Sequence, residues 1–162
     1  MDEAPEIFVR ITTDLNYPIF VVTTAVGERR AGCVVGFATQ TSVDPGRFLA
    51  CLSRENRTCR LAREADALAV HVVAPEHERL VELFGGETGD EIDKFERCAW
   101  QEGPRGIPIL ADCPNWFVGA ILSRHDLGDH VGHLLDPIAA HHAPAELVYF
   151  QDVKDVEPGH PA

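Results

Sequence analysis

The fold is decided by two stretches near the N-terminus, Ile19-Phe20-Val21-Val22-Thr23-Thr24 and Gly32-Cys33-Val34-Val35-Gly36-Phe37. Both are rich in β-branched and aromatic residues, which favour strands over helices. Between them, Val26-Gly27-Glu28-Arg29 supplies the glycine and the polar residues of a turn. The sequence therefore predicts an antiparallel hairpin early in the fold.

More short strands are predicted along the chain, at 48–52, 68–73, 116–122, 130–135 and 147–150. Two short helices interrupt them, at Thr58–Ala65 and at Pro75–Phe84, and the second stops at Gly85-Gly86. Many short strands with few helices favour a mostly β domain whose antiparallel sheet closes, or nearly closes, into a barrel. Side chains would fill a barrel of about six or seven strands, so we expect a ligand at the rim or at a subunit interface.

Composition limits the classes of function. With 162 residues, 45% of them apolar, the chain is expected to form one domain over residues 1–150, followed by a flexible C-terminal tail over 151–162. Its 14 basic and 26 acidic residues give a net charge of −12. This charge argues against binding to nucleic acid or to an anionic membrane. No apolar run approaches the roughly 20 residues of a membrane span.

The N-terminus and the cysteines predict a cytoplasmic protein. Residues 1–6 are acidic where a signal peptide is basic and then apolar. The five cysteines cannot all pair with one another, and no C-x-x-C motif occurs. We expect reduced, mostly buried thiols, as in the cytosol.

A polar segment, Ser53-Arg54-Glu55-Asn56-Arg57-Thr58, lies between a predicted strand and a predicted helix. Together with Arg60 it concentrates positive charge in an acidic chain. One interpretation is a phosphate site that uses hydroxyl, amide and free backbone N–H donors at the start of the helix. The other is a helix cap at Asn56 or Thr58, with the arginines in water. The segment alone leaves both open.

A second segment, Gly32 to Pro45, begins as a strand and continues as small and polar residues up to an Asp-Pro turn. Small residues at the end of a strand let a flat ligand approach the backbone closely. The side chains of 39–42 can hydrogen-bond to the edge of a heterocycle. An ordinary transition from strand to loop is the alternative.

The third segment, His125 to His133, contains three histidines and two aspartates. A metal site is a rival interpretation, but the predicted strand puts His130 and His133 on opposite faces, and H-E-x-x-H is absent. No metal ligands are therefore predicted. We predict instead a turn at Gly128-Asp129 that presents His130 at a strand end, with Asp129 orienting its imidazole.

In this order, the segments resemble those of the flavin reductase-like family over about Tyr17 to Tyr149. The family's Val-Thr-Thr strand end resembles 22–24, and its G-M-T-A-S-S-F-x-S-V-S-L-D-P stretch aligns without a gap on 32–45. Its phosphate segment resembles 53–58, and its D-K-F and G-D-H motifs resemble 93–95 and 128–130. The resemblance implies an antiparallel split β-barrel, the FMN-binding split barrel, with short flanking helices.

The resemblance also implies a function. It predicts a homodimer that reduces FMN by hydride transfer from NADH or NADPH, with FAD left open as the flavin, and that supplies reduced flavin to a partner monooxygenase or keeps its FMN bound. A flavoprotein of this fold that binds FMN without turnover is the alternative.

Site residues follow from the same resemblance, position by position. The isoalloxazine would be lined by Val34, Val35, Gly36, Phe37, Thr39, Gln40 and Thr41. The phosphate would be held by Ser53, Asn56, Arg57 and Thr58. His130 would lie beside the transferred hydride, and Asp129 would orient it. This chain departs from the family at 34–37, where Val-Val-Gly-Phe replaces Thr-Ala-Ser-Ser. We therefore expect backbone groups and residues 39–41 to make most hydrogen bonds to the flavin.

Overall fold

Nine strands and four helices follow one another in the computed structural model, which describes residues 3–159. The strands are β1 Phe20–Val26, β2 Arg29–Val35, β3 Ala38–Val43, β4 Gly46–Ser53, β5 Ala67–Val72, β6 Trp100–Glu102, β7 Pro108–Leu110, β8 Asn115–Asp126 and β9 His130–His141. The helices are α1 Ala4–Thr13, α2 Arg57–Ala62, α3 Arg79–Gly86 and α4 Phe150–Val153, and three-residue 3₁₀ helices occur at Pro75–His77, Lys94–Glu96 and Pro104–Gly106. No helix within 3–159 is long and apolar enough to cross a membrane.

Seven strands form one antiparallel sheet in the order β2-β1-β5-β8-β9-β4-β3, and β6 pairs with β7 separately. The predicted hairpin is confirmed, because β1 and β2 pair across a turn at Gly27, whose φ of +60° suits glycine. The mostly β, antiparallel architecture is confirmed, but of the two predicted forms the fully closed barrel is not the one observed, because the sheet is open and β2 and β3 are its two edges. Only Gly36 and Phe37 connect these edges, so the sheet must curl strongly to bring them near each other.

Side chains explain why β2 stays an edge. The carbonyl of Arg30 accepts a hydrogen bond from Arg57, and the carbonyl of Gly32 accepts one from Lys94 Nζ at 3.1 Å. Both carbonyls point away from β1, toward the place where an eighth strand would bond. The two cationic side chains thus satisfy these two carbonyls without a strand.

The concave face of the curled sheet carries a dense apolar core. Cys33 of β2 and Leu52 of β4 belong to one buried cluster with Val22, Leu68 and Leu135. Helix α2 contributes Cys59 and Ala62 to this cluster. Side chains therefore occupy the concave face, as expected.

The convex face is covered in two places. Helix α3 packs on β1 and β2, where the Phe84 ring lies so close to Gly32 that a Cβ there would be 2.7 Å from it. The β6–β7 hairpin covers β5, and the buried His71 joins the layers. Its Nδ1 donates to the Val21 carbonyl at 3.0 Å, and its Nε2 accepts from the Leu110 N–H at 3.1 Å.

Several local elements differ from the predictions. The polar run 38–43, which was not predicted as a strand, forms β3, which pairs with β4. The predicted strand at 147–150 is only a single bridge between Pro18 and Tyr149. Helix α1 and the β6–β7 hairpin were not predicted.

The predicted tail is packed against the domain as far as residue 159. Val153 is buried and Val156 packs against the same cluster, since a spacing of three places both on one face. The N–H of Gly159 donates to the Gly85 carbonyl at 2.9 Å. The last part of the predicted tail, 160–162, lies outside the described residues.

Candidate functional site

A cleft of about 360 Å³ lies between the end of β2, the β8–β9 turn and the C-terminal segment. Its walls bring together residues predicted from three separate segments. These are Val34, Val35, Gly36 and Phe37 from the first, Ser53 and Asn56 from the second, and His130 from the third. Residues up to 96 positions apart in the chain, from 34 to 130, therefore share one cleft.

Strand pairing produces this convergence. The register of β4 and β9 places Ser53 opposite His130. The link between β2 and β3 passes alongside, where the Cys51 N–H donates to the Phe37 carbonyl at 2.9 Å. The Phe37 ring consequently lies 5.0 Å from the His130 ring, centroid to centroid, at an angle of 53°.

In the Gly-Asp-His turn, the Asp129 carboxylate contacts the imidazole of His130. His130 Nδ1 lies 2.7 Å from Asp129 Oδ1. This hydrogen bond and the electrostatic interaction with His130 lower the pKa of Asp129 below its ordinary value. With Nδ1 held by the carboxylate, Nε2 is the ring nitrogen left to meet a ligand. Gly128 has φ +115°, a backbone conformation that favours glycine.

The free edge of β2 offers backbone hydrogen bonds to a ligand. In an antiparallel strand, the N–H and C=O of one residue point to the same side, and alternate residues point alike. The carbonyls of Arg30 and Gly32 point outward, so the N–H and C=O of Val34 also point outward, where this residue lines the cleft. A donor and an acceptor side by side match the alternating edge of a polar heterocycle.

The polar segment differs in detail from both interpretations. Asn56 precedes α2 but makes no side-chain capping bond to it, and it lines the cleft. Thr58 is only 1% exposed and hydrogen-bonds to the Cys33 thiol, whose pKa burial raises to about 11. Ser53 is also buried, and its Oγ accepts from the Glu55 N–H at 3.4 Å.

The arginines around this segment are engaged rather than free in water. Arg54 binds the β8–β9 turn, through the Gly128 carbonyl and the Asp126 carboxylate. Arg57 donates to the carbonyl of Arg30, and Arg60 makes two 2.8 Å bonds to the carboxylate of Asp90. Of the three, Arg57 is the one whose hydrogen bond goes to a neutral carbonyl, although its charge also acts on the nearby Asp90, whose pKa it helps to lower.

A second, polar cleft of about 370 Å³ lies on the other side of Asn56, which lines both. Arg57 and Thr58 line it, opposite the acidic stretch 88–93. Lys94 and Phe95, which follow this stretch, are buried. Lys94 Nζ donates to the carbonyls of Gly32 and Phe84, and burial lowers the pKa of this amine.

Three predicted flavin residues lie elsewhere. Thr39, Gln40 and Thr41 are exposed on β3 and line neither cleft. Thr39 Oγ1 donates to the Gln40 carbonyl and Gln40 Nε2 to the Ser42 carbonyl, both at 3.1 Å. They leave the cleft because β3 runs away from it along β4.

Sequence reasoning missed the wall formed by the C-terminal segment. Phe150, Val153, Lys154, Val156 and Pro158 line the cleft with Tyr17. The Phe150 and Tyr17 rings stack at 4.9 Å and 14°. The apolar spacing of 150, 153 and 156 was the available signal, and the polar residues between them concealed it.

The histidines do not converge on a metal site within residues 3–159, where no group of three potential ligands is found. His125 Nε2 lies 2.8 Å from Ser123 Oγ, and the buried His133 faces the Ala50 carbonyl. His130 is the histidine that the fold brings to the cleft.

An apolar cleft with an open strand edge and an oriented imidazole is typical of proteins that bind a flat, polar-edged heterocycle. The model of the flavin reductase like domain matches residues 12–156, most of the chain. The chain therefore belongs to the flavin reductase-like family.

The chain is also similar in sequence to named relatives and in fold to solved structures. The chain is 30% identical over 116 residues to the FMN reductase (NADH) RutF of Agrobacterium fabrum, a match that covers 72% of this chain and 66% of that protein. It thus spans just under two thirds of that relative's length. The NADH:FAD oxidoreductase SgcE6 of Streptomyces globisporus superimposes with a TM-score of 0.82 at 23% identity, covering 90% and 88% of the two chains. An FMN-binding protein of Thermus thermophilus gives 0.73 at 25% identity, covering 78% and 72%.

Proposed function

We propose that this chain is an NAD(P)H-dependent flavin reductase that transfers a hydride from the nicotinamide to FMN or FAD. The observation that carries this proposal is the convergence of the three predicted segments on one cleft, with His130 beside an open strand edge. Membership of the flavin reductase-like family supports it, as do relatives named FMN reductase (NADH) and NADH:FAD oxidoreductase.

The residues of the cleft fit an isoalloxazine. Val34, Val35 and Phe37 provide apolar contact for its flat rings. The outward N–H and C=O of Val34 match the alternating carbonyl and N–H groups of its pyrimidine edge. These backbone groups take over from the hydroxyls that the family has at 34–37, so the departure in sequence does not exclude a flavin.

A bound flavin would supply the redox chemistry, since it can take up the hydride of NAD(P)H together with a proton from solvent, which would leave NAD(P)⁺. The protein's task is to hold the two rings about 3–3.5 Å apart and to exclude water. In this proposal His130 contacts the nicotinamide through Nε2, while Asp129 keeps the imidazole in place through Nδ1. The C-terminal wall closes the cleft on its other side.

Asn56 and Arg57 are proposed to hold the flavin phosphate. Asn56 lines both clefts and Arg57 lines the polar one beside it, where the hydrogen bond of Arg57 goes to a neutral carbonyl. Ser53 and Thr58 were predicted to share this task, but their hydroxyls bond within the fold. We therefore propose that Ser53 and Thr58 stabilise the conformation of the segment 53–58 and do not contact the phosphate.

We also propose that the curled sheet is a split barrel and that two copies form a homodimer across the β3 edge. Exposed apolar side chains near this edge support the dimer, with Phe37 57% and Val43 85% exposed. Thr39, Gln40 and Thr41 would then approach the flavin from the interface. Sedimentation should give the mass of two chains.

The free thiols support a cytoplasmic location, because no disulfide is formed among the described cysteines. A flavin that leaves after reduction would serve a separate monooxygenase. This partner is proposed as the consumer of reduced flavin, and its test is monooxygenase activity that depends on adding this protein.

The test is oxidation of NADH and of NADPH by the purified protein with FMN or FAD in large excess. Many turnovers per protein would establish a reductase of diffusible flavin and its preferred donor. Binding of FMN without turnover would instead favour the alternative, an FMN-binding protein like the one named from Thermus thermophilus.

A further inference from the structure

We propose that Arg54 is a positioning residue for His130, acting through the β8–β9 turn; this inference rests on the proposed function. Arg54 follows β4 directly, beside the turn. Its backbone N–H donates to the Asp129 carbonyl at 2.9 Å, its Nε to the Gly128 carbonyl at 2.8 Å, and its Nη2 to the Asp126 carboxylate.

The turn needs such a clamp. Asp126 and Asp129 are exposed, and Gly128 has the conformational freedom of a glycine at positive φ. Within the turn, the Leu127 N–H donates a backbone hydrogen bond to the His130 carbonyl at 3.0 Å. A planar guanidinium that bonds both sides of the turn restricts it more than a single contact would.

Movement of the turn would move the imidazole. Asp129 holds His130 Nδ1 with its side chain, while Arg54 holds the Asp129 backbone. The ring of His130 is placed against Phe37, at the wall where the reacting rings are proposed to lie. A displacement of about 1 Å at such a position can cost a hydride transfer up to about 10²-fold.

The guanidinium of Arg54 is directed away from phosphate binding. From sequence, Arg54 belongs to a cluster of arginines suited to an anion, yet both of its side-chain bonds go to the turn. Removing it should therefore slow hydride transfer and leave flavin affinity nearly unchanged. If Arg54 instead bound the phosphate, its removal would weaken flavin affinity and leave the rate of hydride transfer nearly unchanged.

The chain contains a matched control. Arg47 joins the same two strands, β4 and β9, at their other end, through a 2.7 Å ion pair with Asp136 and a 2.8 Å bond to the Gly46 carbonyl. Arg47→Gln thus removes a similar set of contacts away from the turn. If removal of Arg54 acted only by weakening the pairing of β4 and β9, then Arg47→Gln should lower the rate as much as Arg54→Gln.

The experiment compares Arg54→Gln, Arg54→Lys and Arg47→Gln with the wild-type protein, using full-length chains. We expect Arg54→Gln to lower kcat and the single-turnover rate about tenfold, with the flavin Kd changed less than twofold. Lysine keeps the positive charge but lacks the planar guanidinium with its several N–H donors. The single-turnover rate of Arg54→Lys should therefore lie between those of Arg54→Gln and the wild-type protein. In a fourth variant, Arg54→Ala, added methylguanidinium should partly restore the single-turnover rate. Arg47→Gln should keep the wild-type rate.

Equal rate losses in Arg54→Gln and Arg47→Gln, or a loss of flavin affinity as large as the loss of rate, would overturn the proposal. Amide hydrogen exchange at 127–130 provides a readout that does not need catalysis. It should accelerate in Arg54→Gln and not in Arg47→Gln. If the wild-type protein shows no turnover, the proposed function fails, and the exchange data still decide whether Arg54 fixes the turn.

Discussion

Ser53 and His130 face each other across the pairing of β4 and β9. This one register position brings the polar segment after β4 and the Gly-Asp-His turn before β9 to the same end of the cleft. A shift of the register by one residue would turn the His130 side chain to the other face of the sheet. The account of the site therefore depends on this pair.

Replacement of His130 should affect the rate more than binding. His130→Ala removes the imidazole beside the proposed hydride path and leaves the apolar walls intact. We expect the single-turnover rate to fall about 10²-fold, with the flavin Kd changed less than threefold. His125→Ala, on the same hairpin and bonded to Ser123 instead, is the control. Equal losses of rate and affinity would contradict the role assigned to His130.

Arg57→Gln should weaken flavin binding. A charge-assisted hydrogen bond to a phosphate is worth about 1.5–3 kcal/mol, so the FMN Kd should rise at least about tenfold. Riboflavin, which has no phosphate, should bind the variant and the wild-type protein alike. Arg60→Gln is the matched control, because Arg60 is already paired with Asp90. Equal weakening for FMN and riboflavin would exclude phosphate recognition by Arg57.

Stability should depend on pH through His71. Burial lowers the pKa of this histidine from 6.5 to about 4. Between these values the unfolded chain binds more protons than the folded one, so the free energy of unfolding falls as the pH drops. Above pH 6.5, the neutral, buried imidazole makes its full contribution to the free energy of unfolding. Below it, the loss is up to about 1.4 kcal/mol per pH unit and ends near the folded pKa.

His71→Gln can keep both hydrogen bonds without titrating. Denaturant unfolding from pH 4 to pH 7 should therefore show a shallower pH dependence in this variant. The buried His133, whose pKa is also lowered by burial, contributes in the same direction and would remain. An unchanged slope would show that His71 is not the titrating group.

Lys94→Met should destabilise the fold. The ammonium joins the edge of β2 to the end of α3 through the carbonyls of Gly32 and Phe84. The variant keeps the apolar stem but leaves two carbonyls without their donor, which should cost about 2 kcal/mol of unfolding free energy. Denaturant unfolding measures this change. A more stable variant would mean that desolvation of the charge outweighs its two hydrogen bonds.

The sequence predicted the strands with a strong β-branched signal and the turns with glycine. The β1–β2 hairpin and the turn before His130 are examples. It could not predict which groups bond to the open edge of β2, because Arg57 and Lys94 are distant from that edge in sequence. It also missed β3, whose polar residues pair with β4 at an edge where no burial is required.

The site shows the same division. The motifs that carry the family resemblance predicted His130, Asn56 and residues 34–37 as site residues, and the structure places them along one cleft. The partner of each side chain was not predictable, since it is set by tertiary contacts. The buried hydroxyl of Thr58 and the turn contacts of Arg54 are examples. The C-terminal wall was missed because Val153 and Val156 stand alone among polar residues.

The central claim is that this cleft brings a nicotinamide to a flavin for hydride transfer. The most direct test is anaerobic rapid mixing of the protein and FMN with NADH or NADPH, following the loss of the flavin's visible absorbance. The account predicts rapid bleaching that slows when the transferred hydrogen at C4 is deuterium, and that slows further in His130→Ala. Bound flavin that keeps its absorbance with both donors would contradict it.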